Sequence, residues 1–139
     1  MDANVTVVDR ALAALPRRDL ATLSELFDDG IVYQNVGTPA LRGKRVTLRL
    51  FGFMFAPGRE LDVRVHRSAA DGAAVLNERT DLLRIGPLHL VFWAYGVFEV
   101  RDGRITLWRD YWSFQNMAMA LARGLIGVVI PSRRPRLDR

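Results

Sequence analysis

The 139-residue sequence contains no cysteine and only two histidines. Without cysteine the chain has no disulfide bond, no thiolate nucleophile and no thiolate metal ligand. His66 and His89 do not stand in a metal-binding spacing such as H-E-x-x-H, and we assign both to structure or surface. The G-x-S-x-G elbow of serine hydrolases is also missing. These absences favour a protein without a metal site.

Apolar residues never form the run of about 20 that a transmembrane helix requires. The first residues, Met1-Asp2-Ala3-Asn4, lack the basic start of a secretory signal. We therefore expect a cytoplasmic protein without a membrane span. Half of the residues are apolar and a quarter are charged, which together with the length indicates one globular domain.

Positive charge is concentrated at the C-terminal end. The net charge is +5, and the segment 133–139 supplies +3 of it because four arginines there outnumber one aspartate. The rest of the chain has no basic helix face with interleaved aromatic residues, so we expect no nucleic-acid partner. Residues 1–130 are predicted to form a single domain, and residues 131–139 a basic, flexible tail.

Apolar residues recur at helical spacing in four segments. Asn4, Asp19 and Ser113 are the predicted N-caps of three of them, because short polar side chains accept hydrogen bonds from the first amides of a helix. Pro16 and the Pro57-Gly58 pair end two of them. The predicted helices cover residues 5–15, 20–27, 44–55 and 114–123.

Runs rich in β-branched and aromatic residues fill most of the remaining chain. Asp71-Gly72, Gly86-Pro87 and Asp102-Gly103 are the predicted turns of a meander. Helices followed by a curved antiparallel sheet predict an α+β fold. The predicted strands cover residues 31–36, 61–69, 73–84, 88–100 and 104–112.

Polar side chains interrupt three of these strands where a core is expected. Tyr33 and Asn35 share one face of the first strand, because side chains alternate along a strand. Arg79 and Asp81 share a face of a meander strand, and Asp110 lies on the last strand, within reach of a long guanidinium. A buried carboxylate is disfavoured unless it is paired or changes its proton affinity. Such a group is typical of acid/base catalysis.

The register of the meander decides whether the arginine and the last aspartate meet. If both connecting turns had two residues, Arg79 would oppose Ala94. Asp110 would then oppose Tyr95, on the other face of the sheet. A β-bulge or an odd-length turn corrects this, and a three-residue turn over 86–88 would align Arg79, Tyr95 and Asp110. We predict such a bulge or turn.

The segments YQN at 33–35, NERTD at 77–81 and WRDYW at 108–112 resemble, in order and spacing, those of the limonene-1,2-epoxide hydrolase family. Only Asn77 and Trp112 depart from the family's flanking residues. The resemblance implies an NTF2-like cone, in which a curved, mixed or antiparallel sheet packs on N-terminal helices around a deep apolar pocket. It also implies a homodimer that needs no cofactor.

The same resemblance assigns roles to five residues. It implies Asp110 as general base, Asp81 as general acid and Arg79 as the bridge between them. Tyr33 and Asn35 are implied to hold the attacking water. The implied reaction opens an apolar epoxide to a vicinal diol in one step, without a covalent intermediate. Two nearby carboxylates resist simultaneous ionisation, so one of them can keep a proton for the epoxide oxygen.

Aromatic and apolar residues near these segments predict an apolar substrate of the terpenoid, fatty-acid or sterol type. Two other functions stay open: an isomerase or cyclase acting on an apolar ketone, and a non-catalytic module for a lipid-like ligand. An arginine between two acids favours water activation over both. The predicted substrate-binding residues are Phe53, Phe55, Trp93, Tyr95, Met117 and Leu121.

Overall fold

A computed structural model describes residues 2–137 of the chain. Its helices are α1 (Ala3–Ala14), α2 (Leu20–Leu26), α3 (Lys44–Met54), α4 (Phe114–Val129) and a short 3-10 helix (Pro131–Arg133). Its strands are β1 (Phe27–Asn35), β2 (Leu41–Arg42), β3 (Arg59–Asp71), β4 (Ala74–Ile85), β5 (Leu88–Arg101) and β6 (Arg104–Tyr111). Across this range no helix has the length and apolar character needed to span a bilayer.

The strands form one mixed sheet in the order β2-β1-β6-β5-β4-β3. The antiparallel meander from β3 to β6 is confirmed, whereas β1 joins β6 in parallel. This parallel pairing sets Tyr33 beside Trp108 and Asn35 beside Asp110. The predicted α+β class is therefore correct, and the first strand meets the last across the sheet.

The ends of two helices differ from the prediction. Asp2, not Asn4, caps α1, because its Oδ1 accepts hydrogen bonds from the amides of Asn4 and Val5 at 2.8 and 3.2 Å. The predicted second helix is one residue shorter, since Phe27 turns its backbone into β1. The caps at Asp19 and Ser113 and the helix predicted over 44–55 are confirmed.

An aromatic cluster forms the centre of the core between α3 and the sheet. Trp108 is fully buried, and its ring centroid lies 5.2 to 6.0 Å from those of four other aromatic side chains. Pairs at these separations stabilise beyond the burial of their area. The four partners of Trp108 are Phe27, Tyr33, Phe51 and Phe98.

Helix α4 covers a free edge of β5. The first half of β5 extends past the end of β6, so its amides and carbonyls on that side need other partners. Asn116 Oδ1 accepts a hydrogen bond from the amide of Trp93 at 2.9 Å, and Arg123 Nη2 donates to the carbonyl of Val91 at 3.2 Å. Gly124 allows close approach, because a Cβ there would lie 2.7 Å from the His89 carbonyl oxygen.

The helix that covers this edge is longer than predicted. α4 continues past Arg123 to Val129, because the first proline after Arg123 is Pro131 and the helix accommodates Gly124 and Gly127. Gly127 then lies against Arg134, whose Nε donates to the Gly127 carbonyl at 3.4 Å. The first residues of the predicted tail thus contact α4. Asp138 and Arg139 lie outside the described residues, and the flexibility of the tail stays a prediction.

A β-bulge sets the register between β5 and β6. The turn at Gly86-Pro87 has two residues, so the predicted three-residue turn there is wrong. The pairing instead shifts between Glu99 and Val100, and Thr106 is the extra residue on β6. Asp110 therefore opposes Gly96 and not Tyr95. The predicted bulge exists, but one hairpin later than the turn we named, and it moves Asp110 to the inner face.

Candidate active site

Arg79 joins two carboxylates on the inner face of the sheet. Its Nε and Nη2 donate to the two oxygens of Asp81 at 3.0 and 2.8 Å, the bidentate geometry of a guanidinium–carboxylate pair. Its Nη1 donates to Oδ1 of Asp110 at 3.0 Å. Arg79 is 1% exposed, so the charge of this arginine is balanced within the protein. The sheet brings these side chains together, since Arg79 and Asp81 share one face of β4 and Asp110 lies on that face two strands away.

The guanidinium crosses β5 at a residue without a side chain. Gly96 pairs with Asn77 on one side and with Asp110 on the other. A Cβ at Gly96 would lie 2.5 Å from Nη1 of Arg79 and 2.6 Å from Cε1 of Phe98, both closer than real contacts. Arg79 can reach Asp110 because the intervening position is glycine.

Asp110 is held by the aromatic core as well as by the arginine. Its Oδ1 also accepts a hydrogen bond from Trp108 Nε1 at 3.0 Å. Burial raises the pKa of Asp110 above its usual range; Arg79 opposes this rise and the charge of Asp81 adds to it. Burial alone would lower the pKa of Arg79, but Asp110 and Asp81 together raise it, so the guanidinium stays protonated. The result is a carboxylate with increased basicity beside a fixed positive charge.

Tyr33 and Asn35 reach the same place from β1. Both point to the inner face, and the parallel register sets Asn35 level with Asp110. Burial and the nearby Asp110 raise the pKa of Tyr33, whereas a hydrogen bond with Asn35 lowers it less strongly. The phenol therefore keeps its proton and can donate a hydrogen bond.

All five polar side chains line one cavity of about 300 Å³. Its other walls are mostly apolar and come from α3, β3, β4, β5, β6 and α4, together with Leu15 just after α1. A larger open groove between α1 and β3 contains none of the five. Among residues 2–137, no three histidine, aspartate or glutamate side chains lie close enough together to hold a metal. The apolar wall residues include Leu50, Met54, Leu61, Val63, Phe92 and Met117.

Most of the predicted pocket walls lie elsewhere. Trp93 and Tyr95 are 64% and 50% exposed on the outer face, because the two-residue turn at Gly86-Pro87 pairs Ala94 with Arg79 and so leaves the odd-numbered residues of β5 on that face. Phe53 is 61% exposed on the far side of α3, where the guanidinium of Arg59 lies 4.1 Å from its ring centroid. These three do not line the cavity, so their placement as walls is corrected.

Of the remaining three predicted wall residues, only one lines the cavity. Phe55 is buried in the core against Phe51, with ring centroids 6.1 Å apart, and does not line the cavity. Leu121 is 43% exposed on the outer side of α4 and also lies away from it. Met117, one turn earlier, does line the cavity. Helical spacing alone could not show which side of α4 faces the site.

Sequence reasoning missed the groups that support the site. The hydrogen bond that Trp108 donates to the Asp110 carboxylate was not predicted. Asn77 contacts Arg79 but was noted only as a departure from the family's flanking residues, and Gly96, which makes room for Arg79, was not considered. The usable signal was their shared face with the catalytic candidates, together with a glycine inside an otherwise bulky strand.

Comparison with known protein families shows which family this chain belongs to. The model of the limonene-1,2-epoxide hydrolase catalytic domain matches residues 2–123. The chain belongs to the limonene-1,2-epoxide hydrolase family. Membership places it among the epoxide hydrolases, and the match covers every polar residue of the cavity.

Two similar proteins lie within or beside this family. The chain is 50% identical over 131 residues to Epoxide hydrolase EphG of Mycobacterium tuberculosis (strain ATCC 25618 / H37Rv). The aligned region covers 94% of this chain and 87% of that protein. It superposes on the structure of an M. tuberculosis LEH-like epoxide hydrolase with a TM-score of 0.93 and 47% identity, over 97% of this chain and 96% of the other.

The fold is also shared with proteins of low sequence identity. An NTF2-like protein of unknown function from Burkholderia pseudomallei superposes with a TM-score of 0.71 at 14% identity, over 87% of this chain and 98% of that one. At such identity the likeness concerns the fold alone. This chain thus has an NTF2-like fold, as the family resemblance implied.

Proposed function

We propose that this protein opens an apolar epoxide with water in a single displacement, giving a vicinal diol and no covalent intermediate. One observation carries the proposal: Arg79 bridges Asp81 and Asp110 at the wall of an otherwise apolar cavity. A base and an acid then face the same small volume, and the arginine limits the repulsion between them.

Asp110 is the general base in this proposal. Asn35 lies level with Asp110 across the β1–β6 pair, and Tyr33 lies next to it on the same face. These two side chains and the carboxylate supply the polar contacts that a water molecule needs in an apolar cavity. As the water oxygen forms its bond to an epoxide carbon, one of its protons passes to Asp110.

Asp81 is the general acid. It donates a proton to the epoxide oxygen as the carbon–oxygen bond breaks, so that the leaving alkoxide becomes a hydroxyl. One cycle therefore moves a proton from Asp81 to the substrate and another from water to Asp110. The side chain of Asp81 is 15% exposed and that of Asp110 10%, which leaves a route to solvent for resetting both protons.

The size of the cavity favours compact substrates. Its volume of about 300 Å³ is at the lower end of the range for ligand pockets. A terpenoid-sized epoxide with its oxygen toward Arg79 and Asp81 suits this volume better than a sterol epoxide, and a fatty-acid epoxide would extend out of the mouth.

The proposal is tested with a panel of terpenoid, fatty-acid and sterol epoxides. The wild type should form diols, and Asp81→Asn and Asp110→Asn should each lower kcat by about 10² to 10⁴, the range for loss of general acid or base catalysis. Arg109→Lys, on the outer face, is the matched control and should keep full activity. A wild type that converts no epoxide, or two aspartate variants with full activity, would overturn it.

Labelled water separates hydrolysis from isomerisation. Reaction in ¹⁸O-water should place one labelled oxygen in the diol, since the attacking oxygen comes from solvent. An isomerase or cyclase would return product without the label, and a binding module would give no product.

We also propose that two copies associate through the outer face of the sheet. Large apolar side chains are exposed there, whereas a monomer rarely exposes a wide apolar patch. A two-fold contact would cover the same patch on both copies. Sedimentation should show a dimer for the wild type and a monomer for Trp93→Glu, with a dimeric Trp93→Glu as the contrary result. The patch contains Leu76, Trp93, Tyr95 and Tyr111.

The cytoplasmic location stays a prediction from the sequence.

A further inference from the structure

Asn77 lies beside the guanidinium but outside the cavity. It precedes Arg79 by two residues on β4, shares its inner face and is 5% exposed. Its Oδ1 accepts a hydrogen bond from Nη1 of Arg79 at 3.3 Å. The same nitrogen donates to Asp110 at 3.0 Å, so both hydrogens of Nη1 have an acceptor.

The other end of this amide is unpaired. Nδ2 of Asn77 is buried and has no hydrogen-bond partner within residues 2–137. A buried donor without a partner destabilises a folded protein, so an apolar residue would suit a purely structural position better. Sites that keep such a locally unfavourable group are expected where function requires it.

A neutral acceptor has a specific advantage at this place. Arg79 already pairs with two carboxylates, and a third negative charge would compete with Asp110 for Nη1. An amide oxygen takes the second hydrogen of Nη1 without adding charge. Gly96 leaves space for the guanidinium to pass over β5, and Asn77 accepts one hydrogen of Nη1. The other hydrogen of Nη1 then points to Asp110.

We propose that Asn77 is a positioning residue, which directs Nη1 of Arg79 onto Asp110 and so orients this base to take a proton from the attacking water. The proposal rests on the epoxide hydrolysis put forward above. Asn77 does not line the cavity and acts only through Arg79. The groups that face the Asp110 carboxylate are Arg79, Asp81, Trp108 and Tyr33.

Asn77→Leu removes the acceptor and keeps the volume. We expect kcat to fall about tenfold to a hundredfold, the factor that a hydrogen bond to a charged group can carry, with KM changed less than about twofold. The acid limb of kcat/KM should move to higher pH, because a less firmly held Arg79 lowers the pKa of Asp110 less. Thr47→Val is the control: it removes a buried hydroxyl on α3, and its pH profile should match the wild type.

A second readout needs no epoxide. The ¹³C signal of the Asp110 carboxyl, titrated by NMR, should show a higher midpoint in Asn77→Leu than in the wild type. Asn77→Ser should show the same shift, because the serine side chain is too short for its hydroxyl oxygen to reach Nη1. Midpoints equal to the wild type in the folded variants would overturn the role of Asn77, whether or not the protein hydrolyses epoxides. A wild type without hydrolase activity would instead overturn the proposed function and leave the titration to judge Asn77.

Discussion

At the scale of single residues, Asp110 depends on its surroundings for its chemistry. A general base must be ionised, and Asp110 has a pKa raised above its ordinary value of 3.8 because it is buried. When the pH falls through the raised pKa, the carboxylate takes a proton and the base is lost. We therefore predict that kcat/KM decreases with falling pH along a limb centred above 3.8.

This pH prediction has a simple check. The rate is measured from neutral pH downward while circular dichroism follows folding, so that acid unfolding is not mistaken for titration. A limb at or below the ordinary aspartate value would show that burial does not control this group.

Gly96 is the residue on which the arginine's position depends. In Gly96→Ala the new methyl group would meet Nη1 of Arg79 at 2.5 Å and the ring of Phe98 at 2.6 Å. We predict a fall in kcat of about 10²-fold, because a shift of about 1 Å in a catalytic group has that cost. Stopped-flow or steady-state rates measure it. Gly30→Ala, where the nearest atom lies 3.4 Å away, is the control and should keep its activity.

At the scale of elements, the contact between α4 and β5 closes one side of the cavity. Gly124 lies against the His89 carbonyl, and Met117 of the same helix forms part of the cavity wall. Gly124→Val would push α4 from the edge of β5 and leave backbone groups of β5 without partners. We predict a loss of stability of about 1–3 kcal/mol, as for buried unsatisfied groups, and a raised KM.

The control for this change is on the same helix. Ala122 is exposed, so Ala122→Val adds the same kind of side chain without meeting β5. Denaturant unfolding and KM are measured for both. Equal behaviour of the two variants would mean that the close approach of α4 to β5 does not maintain the cavity.

At the scale of the whole molecule, seven helices and strands line one small cavity, and its shape should govern specificity. Met54 lines the cavity, whereas Phe53 lies on the outside of the same helix. We predict that Met54→Ala raises kcat/KM for bulky epoxides relative to compact ones, because it enlarges the volume at the wall. The relative change should be about 10-fold to 200-fold, the range for one to a few methylene groups in an apolar pocket.

Phe53→Ala tests whether Phe53 lies outside the cavity, as the structure places it. It removes a larger side chain from the neighbouring position, yet the ratio between bulky and compact substrates should stay that of the wild type. A changed ratio in Phe53→Ala, or none in Met54→Ala, would show that the wall is placed wrongly.

Much of this architecture follows from the sequence itself. The caps at Asp19 and Ser113, the turn glycines and the alternation along the strands act over a few residues, so each leaves a local pattern. Alternation also puts Arg79 with Asp81 and Tyr33 with Asn35 without any knowledge of neighbours. The family resemblance of the polar segments then indicates the type of chemistry.

Other features depend on contacts between distant segments. Thr106 looks like any strand residue, yet as a bulge it decides that Asp110 lies on the same face of the sheet as Arg79. Likewise, the side of α4 that faces the cavity depends on where β5 leaves a free edge. The sequence by itself determined which side chains could act as base, acid and bridge, because type and alternation are local. Only the tertiary structure decided that they meet, because neighbouring strands set the register and leave the space over Gly96 through which Arg79 reaches Asp110.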